Sequence, residues 1–200
     1  GNVRGRLVRE DWTLVRERGV GGTVDTRYEK REVVEKSFTV KLAKGAATGS
    51  ISLTPSSSGS YAVEVEAADA AGRPAYTRSS FYVTGNDQIA WKRAYERQLE
   101  IVKDKPSYRP GETARLLIKS PLASGRYLLS VERDGILEQR TVELSGGTPV
   151  VEVPVTEEHV PIFYVFLSTA SARTQAPPAE PDLPDFGKPR GYSGLAEIPV

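Results

Sequence analysis

The side chain that general acid–base catalysis uses most often occurs once in this sequence, as His159. A catalytic triad needs a nucleophile and an orienting carboxylate around such a histidine, and a zinc site needs further His or Cys ligands. The sequence has no Cys and no second His. We therefore interpret His159 as a solvated loop residue, and we predict no catalytic residue and no cofactor.

Two carboxylate pairs are the next candidates for chemistry, Glu157-Glu158 and Asp182 with Asp185. Paired carboxylates can carry acid–base catalysis, and closely alternating oxygen ligands can bind calcium. Neither pair has the dense alternation of oxygen ligands that a calcium loop shows. We interpret both pairs as surface charge and predict no metal site.

Phosphate binding is the chemistry that glycine-rich and arginine-rich stretches can indicate. Gly19-Val20-Gly21-Gly22 lacks the Gly-Lys-Ser/Thr ending of a phosphate loop. The arginines near the start alternate with acidic residues, which is typical of mixed-charge strand faces. They are Arg4, Arg6, Arg9, Arg16 and Arg18. The net charge is +1, so we predict no nucleic-acid partner.

A proline-rich stretch, Ser168 to Ser193, is the segment best suited to meet another protein. Its prolines lack amide donors and cannot sit in a central strand, so a long exposed loop is predicted. They are Pro177, Pro178, Pro181, Pro184 and Pro189. Extended, unpaired chain is what a protease cleft accepts. The candidate protease-accessible residues are Arg173, Thr174, Gln175 and Ala176, although a plain connecting loop would have the same composition.

The rest of the chain is predicted to consist of β-strands. In its first half, apolar residues recur two apart. Tyr61 to Val65 is the clearest case, and Phe38 to Leu42 and Ser50 to Leu53 follow the same pattern. Asp69 to Arg73 supplies the Asp and Gly of a tight hairpin turn. These strands predict one domain over residues 1–86.

The second half repeats the pattern, with a final strand predicted from Gly194 to Val200. A hairpin is predicted at Asp134-Gly135 through a primed turn, in which Gly135 takes positive φ. The other predicted strands are Glu100–Val102, Ala114–Lys119, Arg126–Arg133, Leu137–Leu144, Val150–Val155 and Phe163–Leu167. They define a second domain over residues 99–200. Between the domains, residues 87–98 are predicted to be a linker, with one or two helical turns from the spacing of Trp91, Tyr95 and Leu99.

Size and composition agree with two small β domains in tandem. The chain has 200 residues, and a β-sandwich needs about 100. We predict an all-β fold of two antiparallel β-sandwiches of the immunoglobulin or fibronectin III type. No stretch has the roughly 18 apolar residues of a membrane span. Because the sequence contains no Met, we interpret it as an excised fragment.

Specific residues resemble a known family, the bacterial alpha-2-macroglobulins, which are built from serial macroglobulin-like β-sandwich domains. The strongest match is Asp104-Lys105-Pro106-Ser107-Tyr108-Arg109-Pro110-Gly111-Glu112-Thr113-Ala114, and Val131 to Leu137 continues it. Within it, Pro110-Gly111 predicts a tight corner, after which Ala114, Leu116 and Ile118 alternate into the core. Asp185-Phe186-Gly187-Lys188-Pro189 with Gly191-Tyr192 is similar to the family's later return strand. Ile162 replaces the family's Asn after Pro161, and Ala170 to Arg173 replaces its usual exit from the strand.

The resemblance implies a protease inhibitor, in which a target protease cuts an exposed bait region and a thioester elsewhere captures it. It implies that this fragment adjoins or includes the bait region, within the second macroglobulin-like domain. The implied partners are target proteases and neighbouring macroglobulin-like domains, in the periplasm, cell envelope or extracellular space. Glu138-Gln139 matches only the end of the thioester motif, which needs a Cys.

Two other classes of function remain open from the residues alone. A cell-surface adhesion or ligand-binding module would show an exposed aromatic patch, for which Trp12, Trp91 and Tyr95 are the candidates. An enzyme would need a cleft with converging titratable groups. With one His and no Cys, we predict that the chain is not an enzyme.

Overall fold

In a computed structural model, the chain divides into two compact units, Gly1–Lys92 and Arg93–Val200. The residues that the structure describes are 2–18, 24–43, 46, 48–69, 71–87, 89, 91, 97–180, 183 and 185–200. Their regular structure is almost entirely antiparallel β-strand, with a short 3-10 helix at Glu157–His159. The predicted all-β class is confirmed.

The first unit contains four described strands in one antiparallel sheet, in the order β2-β1-β3-β4. They are β1 (Asn2–Arg18), β2 (Val24–Lys41), β3 (Gly59–Ala68) and β4 (Pro74–Val83). β2 is far longer than the predicted strand Phe38 to Leu42, and no bounds were predicted for β1. Charged side chains pair across the two strands, as Arg27 does with Glu17. Ser50 to Leu53, predicted as a strand, is irregular chain here.

A row of charges crosses this sheet where neighbouring strands place Arg6, Glu64 and Arg78 side by side. Both arginines donate hydrogen bonds to the Glu64 carboxylate, whose side chain is only 5% exposed. Although burial opposes ionisation, the hydrogen bond from Arg6 holds the pKa of Glu64 below its usual value. The first unit thus carries a buried, fully paired carboxylate within its sheet.

A β-bulge at Leu7/Val8 gives the same sheet a second polar cluster. The bulge places Glu35 opposite no single partner residue, and its carboxylate accepts hydrogen bonds from Ser56 Oγ at 2.6 Å and Tyr61 Oη at 3.2 Å. Tyr61 is fully buried and stacks on Phe81 with 5.7 Å between ring centroids. The irregular chain before β3 is therefore tied to the sheet through Glu35.

The second unit consists of two antiparallel sheets, β11-β10-β7-β8 and β5-β6-β9. The strands are β5 (Glu100–Lys103), β6 (Thr113–Lys119), β7 (Ser124–Glu132), β8 (Ile136–Ser145), β9 (Val150–Pro154), β10 (Ile162–Ala170) and β11 (Gly191–Pro199). Every strand predicted in this half is present. Alternate residues of both sheets enter one apolar core, as in a β-sandwich.

The turn before β6 explains how this core begins. Glu112 N donates to Arg109 O at 3.0 Å, and Gly111 has a φ of 91°, so Pro110-Gly111 occupies the centre of a type II turn. Tyr108 is 2% exposed and donates from its hydroxyl to Asp104 at 2.7 Å. Burial raises the pKa of Tyr108 to about 12. The predicted corner is confirmed.

The hairpin at Asp134-Gly135 forms between β7 and β8, but not through the primed turn expected from Gly135. Among the described residues of this unit, positive φ values occur at Gly111 and Gly146. A register shift at Val131/Glu132 widens the connection to three residues, closed by Arg133 N donating to Gly135 O at 2.9 Å. The bulge thus supplies the reversal that left-handed glycine was expected to provide.

Two predicted features fall on residues outside the described part of the chain. One is the glycine-rich stretch Gly19-Val20-Gly21-Gly22. The other is most of the linker 87–98, including its predicted helical turns. Trp91 itself is described, 5% exposed, with its ring edge on Tyr82 at 5.7 Å between centroids.

Candidate functional site

The proline-rich loop leaves the second unit between its last two strands, β10 and β11. Their ladder ends at the pair Ala170 and Gly191, and Ser171 N donates to Arg190 O at 2.9 Å just beyond it. The loop is therefore 171–190, shorter than the predicted 168–193, because Ser168 to Ala170 carries no proline and pairs with Gly191 to Ser193. We call 171–190 the β10–β11 loop.

Most described side chains of the β10–β11 loop are exposed to solvent. Residues 172–177, 179 and 180 are all exposed, and Pro178 is half-buried. On both sides the chain returns at once to paired strand, with Leu167 and Ile198 fully buried. The loop is thus an accessible segment anchored at both ends on a packed core.

Arg173 is held by a two-pronged ion pair across the loop. Its guanidinium donates to both carboxylate oxygens of Asp185, from Nη1 at 3.0 Å and from Nη2 at 2.9 Å. The hydrogen bond from Arg173 lowers the pKa of Asp185, and the same contact raises the pKa of Arg173. Such a fork fixes the direction of the side chain as well as its position.

Backbone contacts beside this ion pair close the base of the loop. Thr174 N donates to Gly187 O at 2.9 Å, and Gly187 N donates to Asp185 Oδ1 at 3.1 Å. A Cβ on Gly187 would lie 2.7 Å from the backbone N and O of Gln175, so no larger residue fits there. We call Arg173, Thr174, Gln175, Asp185 and Gly187 the latch.

Beyond the latch, the chain from Ala176 to Glu180 forms fewer hydrogen bonds than the latch does. Within the part of the chain that the structure describes, no hydrogen bond joins 176–179 to the rest of the unit. Pro177 and Pro178 have no amide hydrogen to donate, and their rings favour an extended backbone. This stretch can do no chemistry itself, but it has the form of a peptide that another protein's cleft can accept.

The four residues predicted to be protease-accessible divide between these two parts. Arg173, Thr174 and Gln175 belong to the latch, whereas Ala176 starts the freer stretch. The sequence reasoning missed the partners, Asp185 and Gly187. They stood out in the sequence as part of the Asp185 to Pro189 motif, but nothing in that motif pointed to Arg173.

His159 is not the solvated loop residue that we predicted. It is 7% exposed, lies in the 3-10 helix, and its ring packs on Phe163 with 4.3 Å between centroids. Thr156 N donates to His159 Nδ1 at 2.9 Å. Burial lowers the pKa of His159, so the neutral ring is the favoured form. The histidine is a packing and capping residue.

The carboxylates and arginines singled out in the sequence do not converge on a site. Glu157 and Glu158 are exposed, Asp185 is bound to Arg173, and Asp182 lies outside the described residues. Among the residues that are described, no three His, Cys, Asp or Glu side chains cluster as metal ligands would. Glu138 lies on exposed strand β8, 3.0 Å from Arg140.

The arginines of β1 are used within the sheet or exposed on it. Arg6 pairs with Glu64, and Arg9 pairs with Asp11 at 2.9 Å. Arg4 and Arg16 are exposed, and the side chain of Arg18 lies outside the described set. The expected mixed-charge surface is what this strand presents.

Two of the three aromatic residues considered for an adhesion surface are described, and neither is fully exposed. Trp91 is buried, Trp12 is half-buried with Lys30 Nζ 6.0 Å from its ring centre, and Tyr95 is not among the described residues. None of the helical structure in the described residues is long and apolar enough to cross a membrane.

The chain was compared with known proteins. The family profile for the alpha-2-macroglobulin bait region domain matches residues 99–200. An alpha-2-macroglobulin homolog from Nostoc sp. is 30% identical over 80% of this chain and 8% of its own length. One from Deinococcus radiodurans is 32% identical over 70% of this chain and 13% of its own length. The chain therefore spans only a small part of these relatives.

Solved structures of bacterial alpha-2-macroglobulins are also similar. Salmonella alpha-2-macroglobulin reacted with methylamine is 21% identical with a TM-score of 0.35, over 100% of this chain and 12% of that one. The native conformation of the E. coli protein is 22% identical with a TM-score of 0.38, over 98% and 12%. On the match of residues 99–200, the chain belongs to the alpha-2-macroglobulin family and contains its bait region domain.

Proposed function

We propose that this chain is part of a protease inhibitor of the alpha-2-macroglobulin type, and that the β10–β11 loop is the segment a target protease cuts. The observation that carries the proposal is the β10–β11 loop, which contains several prolines, is exposed at most of its described residues and lies within the matched bait region domain. Cleavage of this loop would be the event that the rest of the inhibitor detects. The chain itself acts as substrate and scaffold rather than as an enzyme.

The anchoring of the loop supports this role. A protease needs several residues that are both extended and unpaired, and the backbone of a strand within a sheet is already paired. Residues 172–180 are accessible, while β10 and β11 on either side are paired over their full length. A cut in the loop would therefore be confined to the loop and would leave the strands in place.

Several features of the whole protein belong to the same proposal. We place macroglobulin-like domains at 1–86 and 99–200, joined by a linker at 87–98. The partners are target proteases and adjacent macroglobulin-like domains, and the setting is the periplasm, the cell envelope or the extracellular space. With no Cys in this chain, any thioester that captures the protease lies elsewhere in the inhibitor.

The test uses the full-length protein that contains this chain and a variant with a shortened loop. Replacing 171–190 by Asn-Gly joins the paired residues Ala170 and Gly191 through a two-residue turn that suits a hairpin. Incubation with a broad-specificity protease should nick the wild type in the loop, change its gel mobility and retain the protease. The shortened variant should do none of these.

Two results would contradict the proposal. One is a wild-type protein that is first cut elsewhere and still changes mobility. The other is a shortened variant that retains the protease as well as the wild type does. Circular dichroism of both proteins, matched before protease is added, excludes misfolding as the cause.

A further inference from the structure

We propose that Asp185 makes the β10–β11 loop selective among proteases. The latch protects the bond after Arg173 from trypsin-like enzymes. The bond between Ala179 and Glu180 stays accessible to proteases with a small S1 pocket. This inference rests on the proposed function, since it names the class of protease that the loop favours. It differs from our sequence prediction, which placed accessibility at Arg173 to Ala176.

The bond after Arg173 is withheld because both groups that a trypsin-like enzyme must engage are already bound. Such an enzyme places an Arg side chain against an acidic group in its S1 pocket. Here the guanidinium is occupied by both oxygens of Asp185, and Thr174 N, on the far side of the bond, donates to Gly187 O. Cleavage requires the latch to open first.

The bond after Phe186 is protected by the same contacts. Phe186 is 44% exposed and would suit an enzyme with an apolar S1 pocket. The bond that follows it leads into Gly187, which is buried, donates to Asp185 and accepts from Thr174. The latch therefore protects the Arg173 and Phe186 bonds together.

The stretch outside the latch offers small side chains on a pre-extended backbone. Ala176, Pro177, Pro178 and Ala179 precede Glu180, and Ala179 and Glu180 are exposed. The bond from Ala176 to Pro177 is a poor substrate, because its leaving nitrogen carries the proline ring. The Ala179 methyl fits the small pocket of an elastase-like enzyme. Two prolines before it lower the entropy lost when the chain is bound.

The reaction itself is ordinary hydrolysis. The C–N bond between Ala179 and Glu180 breaks, and one water is consumed. Its hydroxyl joins the Ala179 carbonyl carbon to form a carboxyl group, and its proton goes to the Glu180 nitrogen, which becomes a free amine. All the catalytic groups belong to the protease.

The test compares cleavage rates by trypsin and elastase in this chain and in a synthetic peptide of 168–180, with products mapped by mass spectrometry. In the wild-type chain, elastase should cut after Ala179, and trypsin should cut after Arg173 more slowly than in the peptide. Asp185→Asn should raise the tryptic rate at Arg173 about fivefold, as expected for losing an exposed ion pair. The elastase rate should not change.

Two further variants complete the design. Asp134→Asn removes the same charge from another exposed turn and should change neither rate. Arg173→Lys replaces the fork by a single point charge, so its tryptic rate, relative to the matching peptide, should also rise. This second variant keeps the test decisive if Asp185→Asn lowers the melting temperature enough to open the whole unit.

The outcomes separate the two proposals. If elastase cuts the loop but Asp185→Asn and Arg173→Lys leave tryptic cleavage at 173 unchanged, the selectivity inference is wrong and the proposed function stands. Elastase cutting elsewhere in the loop in preference to Ala179 also overturns the inference. If neither enzyme cuts within 171–190, the proposed function fails as well.

Discussion

The two units stabilise their sheets by different means. In the second unit, two sheets enclose an apolar core that includes Leu116, Leu129 and Phe163, all fully buried. In the first unit, the described strands form one sheet, and a buried carboxylate, Glu64, is neutralised within it by two arginines. The exposed loop is thus supported by an apolar core, whereas the sheet of the first unit accommodates a buried charge because two arginines pair with it.

The units can be followed separately in one experiment. Both tryptophans of the sequence, Trp12 and Trp91, belong to the first unit. Tryptophan fluorescence therefore reports the first unit, and hydrogen exchange of β7 and β10 reports the second. A variant in either unit can therefore be followed by the signal of that unit.

The largest effect is expected from the core of the second unit. Leu129→Ala leaves a cavity at a fully buried position of β7 and should cost about 3–5 kcal/mol of unfolding free energy. Leu128→Ala, its neighbour on the outer face and 42% exposed, is the matched control and should cost less than about 1 kcal/mol. Denaturant melts followed by hydrogen exchange measure both. Equal losses would mean that the core does not dominate this unit.

A close backbone contact gives the next effect. A Cβ on Gly194 would lie 2.1 Å from Leu99 O, beside the hydrogen bond from Leu99 N to Ser193 O. Gly194→Ala should cost about 1–3 kcal/mol, because backbone must shift. Gly191→Ala, with nothing within 4 Å of its added methyl, should be nearly neutral. A Gly194→Ala variant as stable as Gly191→Ala would contradict the close approach of β11 to the chain before β5.

The charge row of the first unit predicts a comparable or smaller loss. Glu64→Gln leaves Arg6 and Arg78 without their shared carboxylate and should cost about 1–2 kcal/mol, seen by tryptophan fluorescence. Glu66→Gln, exposed on the same face of β3, should cost about 0.5 kcal/mol or less. If both variants melt alike, the buried pairing does not stabilise the sheet.

The smallest effect concerns pH and separates the units again. Burial holds the pKa of His159 below 6.5, so the unfolded chain takes up its proton first, and stability falls as the pH drops below 6.5. The lowered pKa of Glu64 makes the first unit lose stability only below about 4.5. The second unit should therefore weaken first between pH 7.5 and 5.5.

A variant tests the assignment to His159. Asn at position 159 keeps an acceptor for Thr156 N but does not titrate, so it should remove this pH dependence. Melts at pH 7.5 and 5.5, followed by hydrogen exchange, compare wild type and His159→Asn. An unchanged pH dependence in the variant would assign the effect to other groups.

Much of the second unit could be predicted from local signals. Alternation placed Ala114, Leu116 and Ile118 in the core, and Pro110-Gly111 fixed the turn before them. Prolines predicted the exposed loop because a residue without an amide hydrogen cannot extend a ladder. These signals depend on residues that are close together in the sequence, so they can be recognised without the structure.

What could not be predicted depends on contacts between distant residues. Arg173 and Asp185 lie twelve positions apart in a loop without periodicity, and nothing local relates them. The burial of His159 is different, because its partner Phe163 is only four positions away, but no periodic pattern in the sequence marks that contact. The length of β1 and β2 goes with polar pairing between these two strands, such as Glu17 with Arg27, and not with hydrophobic alternation.

The most direct test of the central claim is the position of the first cut that a broad-specificity protease makes in this chain. At a low ratio of protease to chain, samples taken over time are mapped by mass spectrometry. The account predicts that the first cut falls within 171–190, while β10 and β11 stay intact and protected from hydrogen exchange. Early cuts in the strands of either unit, with 171–190 still whole, would contradict it.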